Sequence, residues 1–220
     1  MKKLLVLVVA IVALYIFKPG LFPSFAGKNG AFDAKGNPQV LVFTAKECSG
    51  LCEKAMQELR ARSVVFQELQ LDGNDDNLKR YEKLGGNGPI PYIVTGKLVV
   101  SGYDKGKTAS ALGQTYGDKY LTRMEQIYYG KHFKADGTPI VYMYGASWCV
   151  FCKSMRDEMD KRKIEYAEVD VEAVADRTVM EDTMQISGFP LIYVGYERIV
   201  GGESVEPVVA ALKKAKKRQI

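Results

Sequence analysis

The chain is poor in several residues that would each point to a chemistry. It has one histidine, one tryptophan and four cysteines in 220 residues. A zinc site needs four ligands, normally two close cysteine or histidine pairs in one domain, and a single histidine offers little toward one. Four cysteines are too few for a disulfide-dense scaffold. A hydrophobic share of 47% and a charged share of 26% are ordinary for globular protein and exclude a disordered or collagen-like chain. No basic-aromatic pattern of a nucleic-acid module occurs, so no nucleic-acid partner is expected. The net charge of +5 gathers partly in the tail, at Lys213, Lys214, Lys216, Lys217 and Arg218. That cluster reads as the solvated end of a helix, where the dipole favours cations.

The length suits two domains of about 100 residues each. Ahead of them, Lys2 and Lys3 precede an unbroken apolar run from Leu4 to Phe17. The run is shorter than the roughly 20 residues of a spanning helix and has the form of an export signal. Ser24-Phe25-Ala26 offers a small-x-small cleavage site, but Lys18 and Pro19 interrupt the path to it. Residues 1–26 are therefore read either as a signal peptide or as an anchor retained in the inner membrane. Both place the rest of the chain in a periplasmic or other extracytoplasmic compartment.

The cysteines form two close pairs, Cys48/Cys52 and Cys149/Cys152, with none left over to join distant segments. Closing so short a loop adds little stability, so the pairs look chemical rather than structural. Residues 20–38, rich in Gly, Pro, Lys and Asn, read as a linker. Beyond it the same order occurs twice: strand, helix, strand, helix, hairpin, helix. The expected units are a first domain at 36–116, a helical connector at 117–132 and a second domain at 133–218. The connector's apolar stripe is read as Tyr120, Leu121, Met124 and Ile127. His132, the lone histidine, is expected at the surface.

In the second unit a strand ends and a helix begins at Cys149. First-turn N–H groups and the helix dipole favour a thiolate there, and the thiolate is the nucleophile. Cys152 lies nearly one turn on, placed to attack a mixed disulfide on Cys149. A Cys-x-x-Cys at a strand-to-helix turn, ahead of an x-Pro strand, is a strong signal of dithiol–disulfide exchange.

With these residues in view, 139–212 resembles the thioredoxin superfamily, most closely its glutaredoxin branch. Trp148-Cys149-x-x-Cys152-Lys153 is similar to the thioredoxin motif, and Phe189-Pro190 to the family's cis-proline. Thioredoxins carry a buried acid six positions before the first cysteine; Met143 stands there, which leans toward glutaredoxin. Gly201-Gly202-Glu203-Ser204 resembles the glutaredoxin segment that holds glutathione. However, Val150 replaces the usual proline, and Ser187-Gly188-Phe189-Pro190 differs from the usual Thr-Val-Pro.

The first unit resembles the same fold, with Ile90-Pro91 as its cis-proline candidate and Ser101-Gly102-Tyr103-Asp104 as its counterpart of the glutathione loop. Cys48-Ser-Gly-Leu-Cys52 has one residue too many. On a regular helix, i and i+4 Cβ atoms lie about 5–6 Å apart, beyond the usual disulfide Cβ separation of about 3.8 Å. Closure is possible if Cys48 precedes the helix. A second redox pair, a Cu(I) site of soft thiolates and a degenerate pair in a docking domain stay open.

The resemblance implies two tandem thioredoxin-like α/β domains and a thiol–disulfide oxidoreductase. Cys149 would attack, Cys152 resolve and Pro190 shape the substrate groove, with Trp148, Lys153 and Phe189 supporting. No cofactor is expected beyond glutathione as a co-substrate. Expected partners are protein thiols and disulfides, and a redox protein that supplies or accepts electrons. Tandem modules of this kind also occur in protein disulfide isomerases and archaeal protein disulfide oxidoreductases, which makes isomerase activity an allied expectation.

Overall fold

The computed structural model describes residues 30–202 and 204–218. The signal or anchor read at 1–26 lies outside them, as does Glu203. Among the described residues no helix is long and apolar enough to cross a membrane.

Two α/β units follow each other. The first runs β1 (Val40–Thr44), α1 (Ser49–Ala61), β2 (Gln67–Gln70), α2 (Asp75–Lys83), β3 (Tyr92–Thr95), β4 (Leu98–Ser101) and α3 (Lys105–Tyr116). A 3-10 turn at Gly117–Tyr120 and α4 (Arg123–Gly130) lead to the second. That unit runs β5 (Val141–Gly145), α5 (Val150–Lys161), β6 (Tyr166–Asp170), α6 (Arg177–Met184), β7 (Leu191–Val194), β8 (Glu197–Val200) and α7 (Glu206–Arg218). The four-stranded sheets have matching orders, β2-β1-β3-β4 and β6-β5-β7-β8. In each, the first two strands pair in parallel and the others antiparallel. The fold is thus two thioredoxin-like units, each a mixed sheet with helices packed on it.

The buried strands β1 and β3 consist largely of Val, Leu, Ile and aromatic residues, as strands covered on both faces do. Helices α1 and α5 lay an apolar stripe on their sheets at i, i+3/i+4 and i+7 spacing. The stripe is Cys52, Ala55, Met56 and Leu59 in α1, and Cys152, Met155 and Met159 in α5. Both helices stop at matching arginines, Arg62 and Arg162, and a left-handed residue follows each, Ser63 (φ 57°) and Lys163 (φ 54°).

The structure corrects three expectations. Part of the 20–38 stretch read as a linker is built into the first unit: Ala31 is buried and bridges Gly96, and Phe32 bridges Pro38. The second unit opens the same way, with Phe133 bridging Pro139. A Phe-x-Ala-x-Gly-x-Pro pattern underlies both, with Gly36 (φ 82°) and Gly137 (φ 81°) at the tight turn. Second, the connector buries Leu121, Glu125, Tyr128 and Tyr129, while Met124 and Ile127 are exposed. Arg62 reaches across from α1 to Glu125 with bonds of 2.5 and 2.7 Å, and this buried ion pair rotates the connector away from its purely apolar stripe.

Third, His132 is fully buried rather than at the surface. Its Nδ1 lies 2.9 Å from the Gly195 carbonyl and its Nε2 2.9 Å from the Tyr144 hydroxyl, and its ring stacks on Tyr193. With both nitrogens partnered among aromatic rings, a neutral imidazole is a core side chain. Burial lowers its pKa to about 4, against the opposing pull of the Gly195 carbonyl.

The units are locked through α3. Ser110 donates to the Tyr196 carbonyl at 2.7 Å and accepts from the Arg198 N–H at 3.2 Å. Gly113 and Gly106 on the same helix leave room for the Tyr196 ring and the Arg198 guanidinium, which a Cβ at either position would meet within 3 Å.

Candidate active site around Cys149 and Cys152

Strand β5 ends at Gly145, and Cys149 is the cap of α5, with extended backbone (φ −71°, ψ 111°). The Cys152 N–H donates to Cys149 Sγ at 3.0 Å. An N–H of the first turn thus points at that sulfur, an arrangement that favours its anionic form. The two cysteines are joined as a disulfide with Cα atoms 5.2 Å apart. Cys152 is fully buried, and Cys149 is nearly so at 3% exposure.

The surface around this disulfide is apolar. Trp148 (66%), Val150 (76%) and Phe151 (59%) are all strongly exposed. Trp148 meets Phe189 edge-on at 6.1 Å, and its indole N–H donates to Glu172 at 2.6 Å. Glu172 is itself paired with Arg177 at 3.2 Å. The ring is therefore held in place and also open to solvent. Lys153 follows the pair, with its side chain exposed.

The Phe189–Pro190 and Ile90–Pro91 bonds are both cis, and both prolines are buried. A Cβ on Gly202 would lie 2.8 Å from Pro190 Cδ and 2.9 Å from Phe151 Cβ. That glycine therefore seats the Gly201-Gly202 turn directly against the proline and the residue between the cysteines. Ser204 lies at the other end of the turn, accepting from the Glu206 N–H at 3.2 Å as α7 begins. The residues singled out from the sequence, Cys149, Cys152, Trp148, Phe189, Pro190, Gly201 and Gly202, thus lie close together in the fold.

The first pair is built differently. Cys48 closes a 3-10 turn, Lys46–Cys48, and stands before α1, so the disulfide to Cys52 forms with Cα atoms 5.5 Å apart. Its sulfur caps no helix N–H. Among the described residues no group of three or more His, Cys, Asp or Glu side chains is placed to hold a metal ion.

Three residues near Cys152 were not singled out from the sequence. Gly145 faces both Cys152 Sγ and the Glu168 carboxylate, and Arg156 grips that carboxylate through Nε at 2.9 Å and a terminal nitrogen at 3.2 Å. The bond to Glu168 is the main influence raising the Arg156 pKa above its usual value. The available signal was the pairing of Met143 with Glu168 across β5 and β6, which requires the strand register.

The glutaredoxin family model matches residues 140–199. Among solved structures, the holo form of glutaredoxin C1 from Populus tremula x tremuloides is 13% identical, covering 42% of this chain and 94% of that one with a TM-score of 0.33. The buckwheat glutaredoxin–glutathione complex is 14% identical, covering 43% and 96%, with a TM-score of 0.35. No curated protein matches the chain. Residues 140–199 of the chain thus match the glutaredoxin family and form a glutaredoxin-like domain.

Proposed function

We propose that the chain is a thiol–disulfide oxidoreductase that acts on protein thiols and disulfides through Cys149 and Cys152, outside the cytoplasm. The observation that carries this reading is the Cys149 sulfur capping α5 while joined to Cys152. The reduced pair would begin exchange from Cys149. Its thiolate attacks a substrate disulfide, one substrate thiolate leaves, and Cys152 then displaces the second while forming the Cys149–Cys152 bond.

Protein substrates are favoured by the exposed rim of Trp148, Val150 and Phe151, which offers apolar contact to an unfolded or partly folded chain. Pro190 and Phe189 form the wall beside the pair. A redox partner must return the pair to its starting state in each cycle. Export rests on Lys2, Lys3 and the run Leu4–Phe17, and protease accessibility in cells stripped of their outer layers would test it.

Cys149→Ser tests the core of the proposal. Insulin reduction and dithiol-peptide oxidation should both vanish, whereas either activity persisting in the variant would overturn it. Glutathione as co-substrate is a second reading, favoured by the Gly201-Gly202 turn lying on Pro190. Saturable dependence on glutathione, weakened by replacing Glu203 and Ser204, would support it; turnover indifferent to glutathione would remove it.

A further inference from the structure

The resolving cysteine needs somewhere to put its proton. In the exchange proposed above, Cys152 Sγ attacks Cys149 Sγ in the mixed disulfide and must lose its proton as the new S–S bond forms. The position six residues before Cys149 is Met143, which is fully buried and carries no acid.

The adjacent strand supplies one. On β6, Glu168 stands opposite Met143, and its carboxylate reaches toward the end of β5. A Cβ added to Gly145 would lie 2.8 Å from Glu168 Oε1 and 3.3 Å from Cys152 Sγ. The carboxylate and the sulfur therefore border the same small space, and only a residue without a side chain leaves it open. Glu168 lies on an edge strand with its side chain 23% exposed, so a proton it receives can leave to solvent. Arg156, one turn beyond Cys152, holds both carboxylate oxygens in a fork. The other charged or titratable groups acting here are Tyr166 on β6, and Asp157 and Asp160 on α5.

The first repeat contains the same glutamate without this arrangement. Glu68 occupies the matching place, opposite Val42. There the residue at the Gly145 position is Thr44, whose hydroxyl donates to Glu68 at 3.0 Å. The Arg156 position is Met56. A side chain fills the space, and no guanidinium aims the carboxylate.

We infer that Glu168, aimed by Arg156 across the space left by Gly145, is the proton acceptor for Cys152. This rests on the proposed exchange at Cys149/Cys152. The Cys152 thiol proton passes to the Glu168 carboxylate as the Cys149–Cys152 bond forms. The second substrate sulfur leaves with the electron pair, and Glu168 then releases the proton to solvent or to that thiolate. In the oxidising direction the same carboxylic acid protonates Cys152 as it is expelled. Arg156 is a positioning residue.

The experiment follows the mixed disulfide. The full chain is reduced and mixed with a peptide disulfide, and both the formation and the decay of the Cys149–peptide adduct are timed by acid quench and mass spectrometry. Glu168→Gln should leave formation unchanged and slow decay by about tenfold or more, with the pH dependence of decay flattened. Gly145→Ala should slow decay similarly while keeping the carboxylate. Arg156→Met, which retains the acid, should have a smaller effect. Decay at the wild-type rate in Glu168→Gln at every pH would overturn the inference. A full defect in Arg156→Met with none in Gly145→Ala would also overturn it, because the ion pair would then be only structural. No adduct in the unaltered chain would overturn both this inference and the proposed function; adduct formation with unimpaired Glu168→Gln would overturn this inference alone.

Discussion

The two repeats share a sheet order, a helix order and a cis-proline, yet they treat their cysteines differently. The second cysteines, Cys52 and Cys152, hold equivalent places, since the helices that follow end in register at Arg62 and Arg162. The extra residue in the first repeat therefore displaces only the first cysteine. Cys149 caps its helix and accepts an amide N–H, whereas Cys48 is drawn back into a 3-10 turn and accepts none. The surroundings diverge in the same direction. Trp148, Val150 and Phe151 form an apolar rim in the second repeat, where the first has Glu47, Gly50 and Leu51. A fold of this kind thus sets the distance between two cysteines, while the residues at the helix start decide whether the first one is electrostatically favoured as a thiolate.

The largest expected effect separates the two pairs outright. Cys149→Ser should reduce disulfide exchange by at least about a thousandfold, because a hydroxyl cannot replace the thiolate nucleophile. Cys48→Ser with Cys52→Ser should leave exchange at Cys149 within about a factor of three. An insulin-reduction assay on both variants checks this, and equal losses would make the pairs one functional unit.

Next in size is an effect confined to the second repeat. His132 occupies the place that Ala31 holds in the first, and both reach the matching glycine carbonyl, Gly195 or Gly96. Burial depresses the His132 pKa from 6.5 to about 4, so the folded state binds its proton more weakly than the unfolded state does. Its contribution to stability is intact above the unfolded pKa of 6.5 and is lost as pH falls toward about 4. The full loss is on the order of 3 kcal/mol. Urea unfolding at neutral and acid pH should show this fall, and His132→Gln should flatten it. An equal fall in the variant would assign the acid sensitivity to other groups.

The smallest effect is the most direct probe of the comparison. Deleting Gly50 converts Cys-x-x-x-Cys into Cys-x-x-Cys and should turn the Cys48 sulfur, which caps no N–H where it stands, onto a first-turn N–H. Alkylation of reduced Cys48 at neutral pH should then quicken by about threefold to tenfold. An unchanged rate would locate the difference between the sites in the aromatic rim rather than in the cap.

Much of this was legible in the sequence because its signals are local. A cysteine pair at a strand-to-helix turn, a proline ahead of a buried strand and a glycine after a hairpin each fix backbone geometry within a few residues. The duplicated order of elements followed from the same cues, and β3 and β7 lie where the x-Pro segments indicate. The opening hairpins at Phe32 and Phe133 were legible too, through their shared glycine and proline spacing, but a Gly/Pro/Lys/Asn-rich composition gave the first one the look of a linker.

The sequence by itself determined the two α/β units, their cysteine spacing and that each first cysteine stands at a helix start, since these depend on hydrophobic periodicity and turn chemistry. Only the tertiary structure decided what lies across from them. It paired Glu168 with the end of β5, buried His132 beneath Tyr144 and Tyr193, and joined Arg62 to Glu125. Each of these contacts joins different elements, so it depends on strand register and helix rotation. A charged or titratable residue can enter such a place only when a partner from another element offsets its desolvation.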